Sequence, residues 1–333
     1  MGRGQTPPIS KCVPKAKDNS DKLILSPRDA NQCLKTLHLK CSGTRRQTLD
    51  AWIEAAKRRR IQELDLFFLN TVTLNPTIFT SNTLVVLKLR LLRVETENLC
   101  VDLPSLKTLE LKHVCFEYQN DIKKLLNASP NLQDLHTSYP IYIRREKNEF
   151  KSLILSKLVR ADINSTDVPF DAISNVEFLP LLRAQDPISH TKNMEEFFKR
   201  IPVFHNLIHV ELCFAGFFHG WDGVVDFLRH CPKLQILHTS KWDTSLSKDW
   251  DCPISSLECV SSHLRSCTIL HFGGSENDLR FATYILQNAR CLEVMTIDVT
   301  ARSSNGMQKA QIIEEISTCP RMSPGCKLSL QFH

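Results

Sequence analysis

Nowhere in the 333 residues is there a run of 18 or more apolar side chains, so no transmembrane helix is expected. The first twenty residues, Met1 to Ser20, lack the apolar core of a secretory signal and are polar, with several Pro and Lys. No Cys-x-x-Cys pair occurs, which removes the usual zinc-knuckle and dithiol-redox patterns. Gly273-Gly274 is not followed by the Lys-Ser/Thr of a phosphate loop, and no Gly-x-Ser-x-Gly nucleophile elbow is present. The pairing His205/His209 enters a strand pattern, where a four-residue spacing does not converge on a metal as it does on a helix. No cofactor, no metal and no catalytic residue is expected from these absences.

The composition is that of an ordinary folded protein, 42% hydrophobic and 23% charged. Thirteen cysteines, an odd number without close pairs, sit mostly beside leucine-rich segments. That placement suits buried, reduced thiols acting as small apolar side chains, and so a cytoplasmic or nuclear location. Charge is uneven along the chain. Residues 1–60 carry 14 Lys and Arg against 5 Asp and Glu, whereas the other 273 carry 28 against 31. Beyond the basic start the chain is near neutral, which makes it poor material for a nucleic-acid track.

One pattern recurs, L-x-x-L-x-L with conservative replacements. It reads Leu34-Lys-Thr-Leu-His-Leu39, Ile61-Gln-Glu-Leu-Asp-Leu66, Leu84-Val-Val-Leu-Lys-Leu89, Leu106-Lys-Thr-Leu-Glu-Leu111 and Leu132-Gln-Asp-Leu-His-Thr137. A degenerate copy is Leu158-Val-Arg-Ala-Asp-Ile163, and Val176-Glu-Phe-Leu-Pro-Leu181 reads as one more. Later copies begin at Leu207, Leu234, Leu264 and Leu292. Outside the irregular stretch between Leu158 and Leu207, spacings of 22 to 30 residues lie in or just above the range of leucine-rich repeats. The L-x-L part predicts a short strand with its leucines on one face, and no single copy can bury that face alone.

Between strands the helical spacing appears. Leu49, Trp52, Ile53 and Ala56 follow it after Thr48, a candidate N-cap. Asp121–Ala128, Asp222–His230 and the segment holding Met194, Phe197, Phe198 and Ile201 do the same. Ser129-Pro130 and Cys231-Pro232 mark helix ends. After Cys252 the spacing predicts a strand at His263–Phe272 and a helix capped by Ser275 with Asp278 three residues on. A strand over Leu292–Val299, a helix around Met307–Thr318 and a last strand at Cys326–Phe332 follow. The fold class is therefore α/β, a leucine-rich-repeat solenoid with a curved parallel sheet and outer helices. Its divisions are a disordered basic segment over 1–30, repeats over 31–250 and a module over 251–333 that continues and caps the stack.

That last module resembles the FBD domain of plant F-box/leucine-rich-repeat proteins. The resemblance is carried by Cys259-Val-Ser-Ser-His-Leu264, Gly273-Gly-Ser-Glu-Asn-Asp-Leu279, Phe281-Ala-Thr-Tyr-Ile-Leu-Gln-Asn-Ala-Arg290, Cys291-Leu-Glu-Val-Met-Thr-Ile297 and Cys319-Pro-Arg-Met-Ser-Pro324. Upstream, Ala51-Trp52-Ile53 and Leu103-Pro-Ser-Leu-Lys-Thr-Leu-Glu-Leu111 are similar to the same family. The resemblance implies a non-catalytic substrate-binding module of a ubiquitin-ligase adaptor, docked through an F-box on a Skp-type adaptor and a cullin. About thirty residues precede the first repeat, and they hold Pro7-Pro8, Pro14 and Pro27 instead of a leucine-rich helical pattern. The expectation is that the F-box is missing, which opens the alternative of a stand-alone interaction or decoy protein.

In each copy the residue between the two inward leucines points to the other, solvent face of the sheet. That gives His38, Asp65, Lys88, Glu110, His136, Glu211 and His238 as the expected partner-binding stripe on the concave face. The partner is expected to be a protein, with no nucleic acid, no membrane and no second copy of the chain involved. The basic run Lys57-Arg-Arg-Arg60 reads as a helix C-terminus favoured by the backbone dipole before it reads as a nuclear address. Met1-Gly-Arg-Gly-Gln-Thr6 fits the loose myristoylation pattern, which is too short to carry weight.

Overall fold

In the computed structural model each L-x-L core is a β-strand of one long sheet. The structure describes residues 35–41, 46–97, 99–138, 141–144, 153, 155–164, 168, 170–183, 201–214, 220–241, 250, 253, 256–299 and 309–332. The amino-terminal segment over 1–30, the myristoylation pattern, Leu34, the apolar helix containing Met194, Phe197 and Phe198, Cys252 and Met307 lie outside these residues.

The strands run in chain order: β1 (Thr36–Cys41), β2 (Glu63–Leu74), β3 (Val86–Val94), β4 (Thr108–Tyr118), β5 (Asp134–Ser138), β6 (Ile141–Arg144), β7 (Arg160–Asn164), β8 (Phe178–Arg183), β9 (His209–Phe214), β10 (Ile236–Lys241), β11 (Ser266–Phe272), β12 (Val294–Val299) and β13 (Lys327–Phe332). Neighbours in sequence are neighbours in the sheet, except that β6 lies beside the second half of β4 and β5 pairs directly with β7. Every described pairing is parallel, from β1 against β2 to β12 against β13. The tentative copy at Val176–Leu181 is a true member, since β8 pairs with both β7 and β9.

Backbone hydrogen bonds show why the copies stack in this register. The carbonyl of Lys35 accepts the amide protons of Gln62 and Glu63, at 2.8 and 3.0 Å. Gln62 does the same for Val85 and Val86, Val85 for Lys107 and Thr108, and Lys107 for Gln133 and Asp134. The relay continues through Gln133, Val159, Glu177, Ile208 and Gln235 to Arg265, which accepts from Glu293 and Val294. Each strand thus enters the sheet locked to the one before it. The first leucine of a copy sits in a tight turn, as when Leu106 donates to Leu103 and Leu132 to Ser129, both at 3.1 Å. Leu84, Leu106, Leu132, Leu207 and Leu234 are all buried there, beneath the strand leucines of the same copies.

The helices lie on the leucine side of the sheet. They are α1 (Arg46–Arg58), α2 (Gln119–Asn127), α3 (Trp221–Arg229), α4 (Glu258–Ser262), α5 (Glu276–Asn288) and α6 (Lys309–Thr318). Leu49 and Ile53 of α1, Leu125 of α2, Val224 of α3 and Ile285 of α5 join Leu64, Leu109 and Met295 in one continuous core. Elsewhere 3-10 turns, Pro76–Phe79 and Phe170–Ile173, replace the helix, and Ile78, Phe79 and Ile173 fill its place in the core.

Several boundaries differ from the sequence expectation. Helix α1 starts at Arg46, so Thr48 stands inside its first turn and is not its cap. The strand placed at His263–Phe272 begins at Ser266, because Glu258–Ser262 turns into the short helix α4 and His263 closes it by donating to the Cys259 carbonyl. Helix α5 begins where expected: Ser275 accepts from the Asp278 amide at 3.2 Å, and Asp278 accepts in return from the Ser275 amide at 3.1 Å.

Three strands carry a left-handed residue at one common position. Leu91, His113 and His271, with φ of 56°, 52° and 56°, each stand four residues after the first inward strand residue of their copy. At β3 and β11 the register to a neighbouring strand shifts there. The bulge turns the following residue, Leu92, Val114 or Phe272, back into the core.

Candidate functional site

The face opposite the leucines is where the expected stripe falls, and the register sets its geometry. His38 stands beside Asp65, Asp65 beside Lys88, Lys88 beside Glu110, and Glu110 beside His136. His136 in turn stands beside Asp162 of β7. Adjacent strands are spaced about 4.8 Å apart, so these six side chains form one continuous row. Glu211 and His238 lie side by side in a second row that runs on through Thr268, Thr296 and Ser329. Strand β8 separates the two rows. Its register is irregular on both sides, and Pro180 within it has no amide proton for the ladder.

The first row is a network of charges. Arg90, two residues past Lys88 on β3, reaches across both neighbours. Its Nη2 lies 3.2 Å from Asp65 Oδ2 and its Nε 3.0 Å from Glu110 Oε1. Lys112 Nζ is 3.1 Å from the same Glu110 oxygen. His38 Nδ1 is 3.3 Å from Asp65 Oδ2, and His136 Nδ1 is 2.5 Å from Asp162 Oδ2. Burial pushes the Glu110 carboxyl up, but the Lys112 hydrogen bond and charge, with Arg90 and His136, outweigh it and hold the group below its ordinary range. Lys88 takes no part in this network. The guanidinium fork of Arg90 has already spanned the two carboxylates that flank Lys88, and among the described residues nothing pairs with its ammonium group. The second carboxylate oxygen of Asp65 is buried without a hydrogen-bond partner.

In the second row Glu211 makes no ion pair among the described residues. The His238 ring lies edge-on to His209, with centroids 5.0 Å apart. Burial, then His238, then Arg160 lower the tendency of His209 to take a proton.

The structure therefore brings His38, Asp65, Lys88, Glu110 and His136 together, and Glu211 with His238, but as two rows and not one. The sequence reading passed over Asp162, Arg90, Lys112, Phe67 and Leu69. Asp162 holds the stripe position in the degenerate copy. The others follow from the two-residue period of a strand, which puts the second and fourth residues after a stripe member on the same face.

The basic run after α1 has a structural use. Lys57 Nζ donates to the Thr77 carbonyl at 2.7 Å and to Thr80 Oγ1 at 3.3 Å, tying the helix end to the 3-10 turn of the next repeat. Arg60 takes a φ of 56° and completes a Schellman end, its amide bonding to Lys57 O while Ile61 reaches back to Ala56 O. Among the described residues no group of three or more His, Cys, Asp or Glu could hold a metal ion, and no helix is long and apolar enough to cross a membrane.

Comparison with known proteins places these features in a family. Residues 252–297 match the model of the FBD domain, and residues 49–170 match the model described as the LRR repeats of FBD-associated F-box protein At5g56370. The chain is 26% identical to a putative FBD-associated F-box protein of Arabidopsis thaliana, over 89% of this chain and 82% of that protein. An FBD-associated F-box protein of the same plant is 26% identical over 90% and 80%. An F-box/FBD/LRR-repeat protein is 25% identical over 84% and 74%.

Proposed function

The chain belongs to the plant family of FBD-associated F-box and leucine-rich-repeat proteins, and from that premise we propose that it is a non-catalytic recognition module whose open sheet face binds a protein, as the substrate-binding part of an SCF-type ubiquitin-ligase adaptor does. Ubiquitin transfer in such an assembly falls to a cullin complex reached through a Skp-type adaptor. The chain itself binds and presents, in the cytoplasm or the nucleus, as a single copy.

One observation carries this reading. The row His38, Asp65, Lys88, Glu110, His136 and Asp162 stands in register on a face that no helix covers among the described residues, and its carboxylates Asp65 and Glu110 are held in place by Arg90 and Lys112 before any partner arrives. Fixed side chains lose little further freedom on binding, which favours affinity and selectivity over a floppy surface of the same charge. The remaining thiols fit a reducing compartment, since Cys231, Cys259 and Cys267 are buried and unpaired.

The test is affinity purification of the tagged chain from its own cells with the proteasome inhibited, beside a Lys88→Glu/Glu110→Lys variant. Proteins held by the wild type alone are the expected result, and a Skp-type adaptor and a cullin in both samples would tie the chain to the ligase. Adaptor and cullin absent from both, with row-dependent partners retained, would leave a stand-alone binding protein. Partners indifferent to the row would remove the open face as the recognition surface.

A further inference from the structure

Beyond the paired charges of the row, one end of the open face is apolar and unevenly charged. Strand β2 alternates inward Leu64, Leu66 and Phe68 with outward Asp65, Phe67 and Leu69. Its register to β3 jumps from Phe67 opposite Arg90 to Val72 opposite Leu92. Residues 68–71 thus face Leu91 alone, and the surplus backbone pushes Leu69 outward. Leu69 is 58% exposed, more than any other large hydrophobic side chain among the described residues. Phe67 beside it is half-buried and carries the Lys40 ammonium 5.3 Å from its ring centre.

The ion pairs around this apolar pair leave cations over. Lys40, Phe67, Arg90 and Lys112 occupy successive strands at one register position, with no acid among them. The two carboxylates within reach, Asp65 and Glu110, are bound by Arg90, Lys112 and His38. Among the described residues Lys88 makes no ion pair, and neither does Arg93, exposed on β3 one residue past Leu92. Glu63 and Glu95 share this face, but Glu63 stands against His38 and Glu95 has an interaction of its own, so Lys88 and Arg93 are the charges left over beside the exposed apolar floor.

We infer that this end of the face, Phe67 and Leu69 rimmed by Lys40, Lys88, Arg93 and Lys112, docks an acidic peptide segment of the partner protein that inserts an apolar side chain between its carboxylates. The inference rests on the recognition reading above and names the chemistry of what that face takes. Apolar burial on Phe67 and Leu69 supplies the anchor, and Lys88 and Arg93, which make no ion pair among the described residues, supply orientation and salt sensitivity. A nucleic acid fits less well, because the floor offers exposed Leu69 and a Phe67 ring already covered by Lys40, not a set of open aromatic faces on which bases could stack.

The experiment is selection of a random peptide library displayed on phage against the full chain. It is run in parallel against Leu69→Asp, Lys88→Glu/Arg93→Glu, and Lys233→Glu, an exposed turn residue away from the patch. Expected are enriched peptides with net negative charge and a Phe, Leu, Ile or Trp. Their binding should weaken about tenfold on either patch variant, remain unchanged in Lys233→Glu, and weaken as salt rises. Circular dichroism melts matching wild type establish that the variants fold. Three results overturn the inference: enriched peptides that are neutral or basic, binding indifferent to the patch variants, or no enrichment at all. Displacement of the selected peptides by random single-stranded RNA that binds the same residues overturns it also. If cellular partners are lost in Lys88→Glu/Glu110→Lys while selected peptides are basic, the recognition reading survives and only the acidic occupant falls.

Discussion

At the scale of single residues, the environment decides what a side chain does more than its type. Glu110 illustrates this. Burial alone would raise its affinity for a proton, and the Lys112 hydrogen bond and charge, with Arg90 and His136, reverse that. The sign follows: its folded pKa is below the unfolded value, so its contribution to stability is present above about 4.5 and is lost as pH falls through the folded value. Removing the largest favourable partner should undo the reversal. In Lys112→Met the Glu110 carboxyl is expected to titrate higher than in wild type, read by NMR of the side-chain carbonyl carbon. An unchanged titration would show that Arg90 alone suffices. Cysteine gives a second case. Burial pushes the Cys259 and Cys267 thiols up to about 12, and Cys231 is raised by the same cause. Alkylation at neutral pH followed by peptide mass spectrometry should label Cys100 and Cys291, which are exposed, and spare those three in the folded chain. Rapid labelling of Cys259 would contradict the packing described.

At the scale of elements, helix ends are where sequence and structure meet most closely. The Ser275–Asp278 capping box was legible because it is local, two residues answering each other within one turn. Its wider use was not. Asp278 also accepts a hydrogen bond from Trp221 Nε1 at 3.0 Å, across 57 residues, while the Trp221 ring stacks on Phe281 at 3.9 Å. Asn277 next to it accepts from the Trp250 amide at 3.1 Å. Asp278→Ala is therefore expected to cost more than an ordinary cap, about 3 kcal/mol against about 1, because a buried indole N–H is orphaned as well. Urea unfolding followed by tryptophan fluorescence measures it, and a loss of 1 kcal/mol or less would deny the tie between α3 and α5. The other end of a helix offers the opposite change. Arg60 holds a left-handed conformation that suits glycine. Arg60→Gly is expected to raise stability by up to about 1 kcal/mol in the same assay, whereas Arg60→Val should lower it. The apolar period located α1, yet it could not find the true start at Arg46, since Thr48 is an adequate cap that the chain does not use there. The 3-10 turns at Pro76 and Phe170 and the short α4 were also missed, each being too short for a period to show.

At the scale of the whole molecule, stability is shared between neighbours. Each strand is locked to the one before by the relay of carbonyls that reaches from Lys35 to Arg265 and beyond. The segment matching the FBD model continues that relay without a break, with β11 pairing on β10. Cutting the chain after residue 250 should therefore damage what remains. It would bare β10 and leave Trp221 without Asp278 and Phe281. Hydrogen exchange of β9 and β10 amides is expected to quicken by orders of magnitude in such a fragment while β2 to β4 stay protected, as nearest-neighbour stacking requires. Uniform protection throughout would instead mean that the two regions fold independently.

The sequence by itself determined twelve of the thirteen described strands and their order, because each L-x-x-L-x-L copy carries its own two-residue period and its own turn, but not β6, which belongs to no copy and lies beside β4. It also determined which residue of each copy faces outward, since that alternation belongs to any strand. Only the tertiary structure decided what the outward residues do to one another. Arg90 is two residues from Lys88 in the chain, and nothing local says that one cation spans Asp65 and Glu110 while the other makes no ion pair among the described residues. That outcome depends on register between strands more than twenty residues apart and on a bulge that lifts Leu69 into view. Pairing of charges is a property of distance in space, which stacking creates and no single repeat contains.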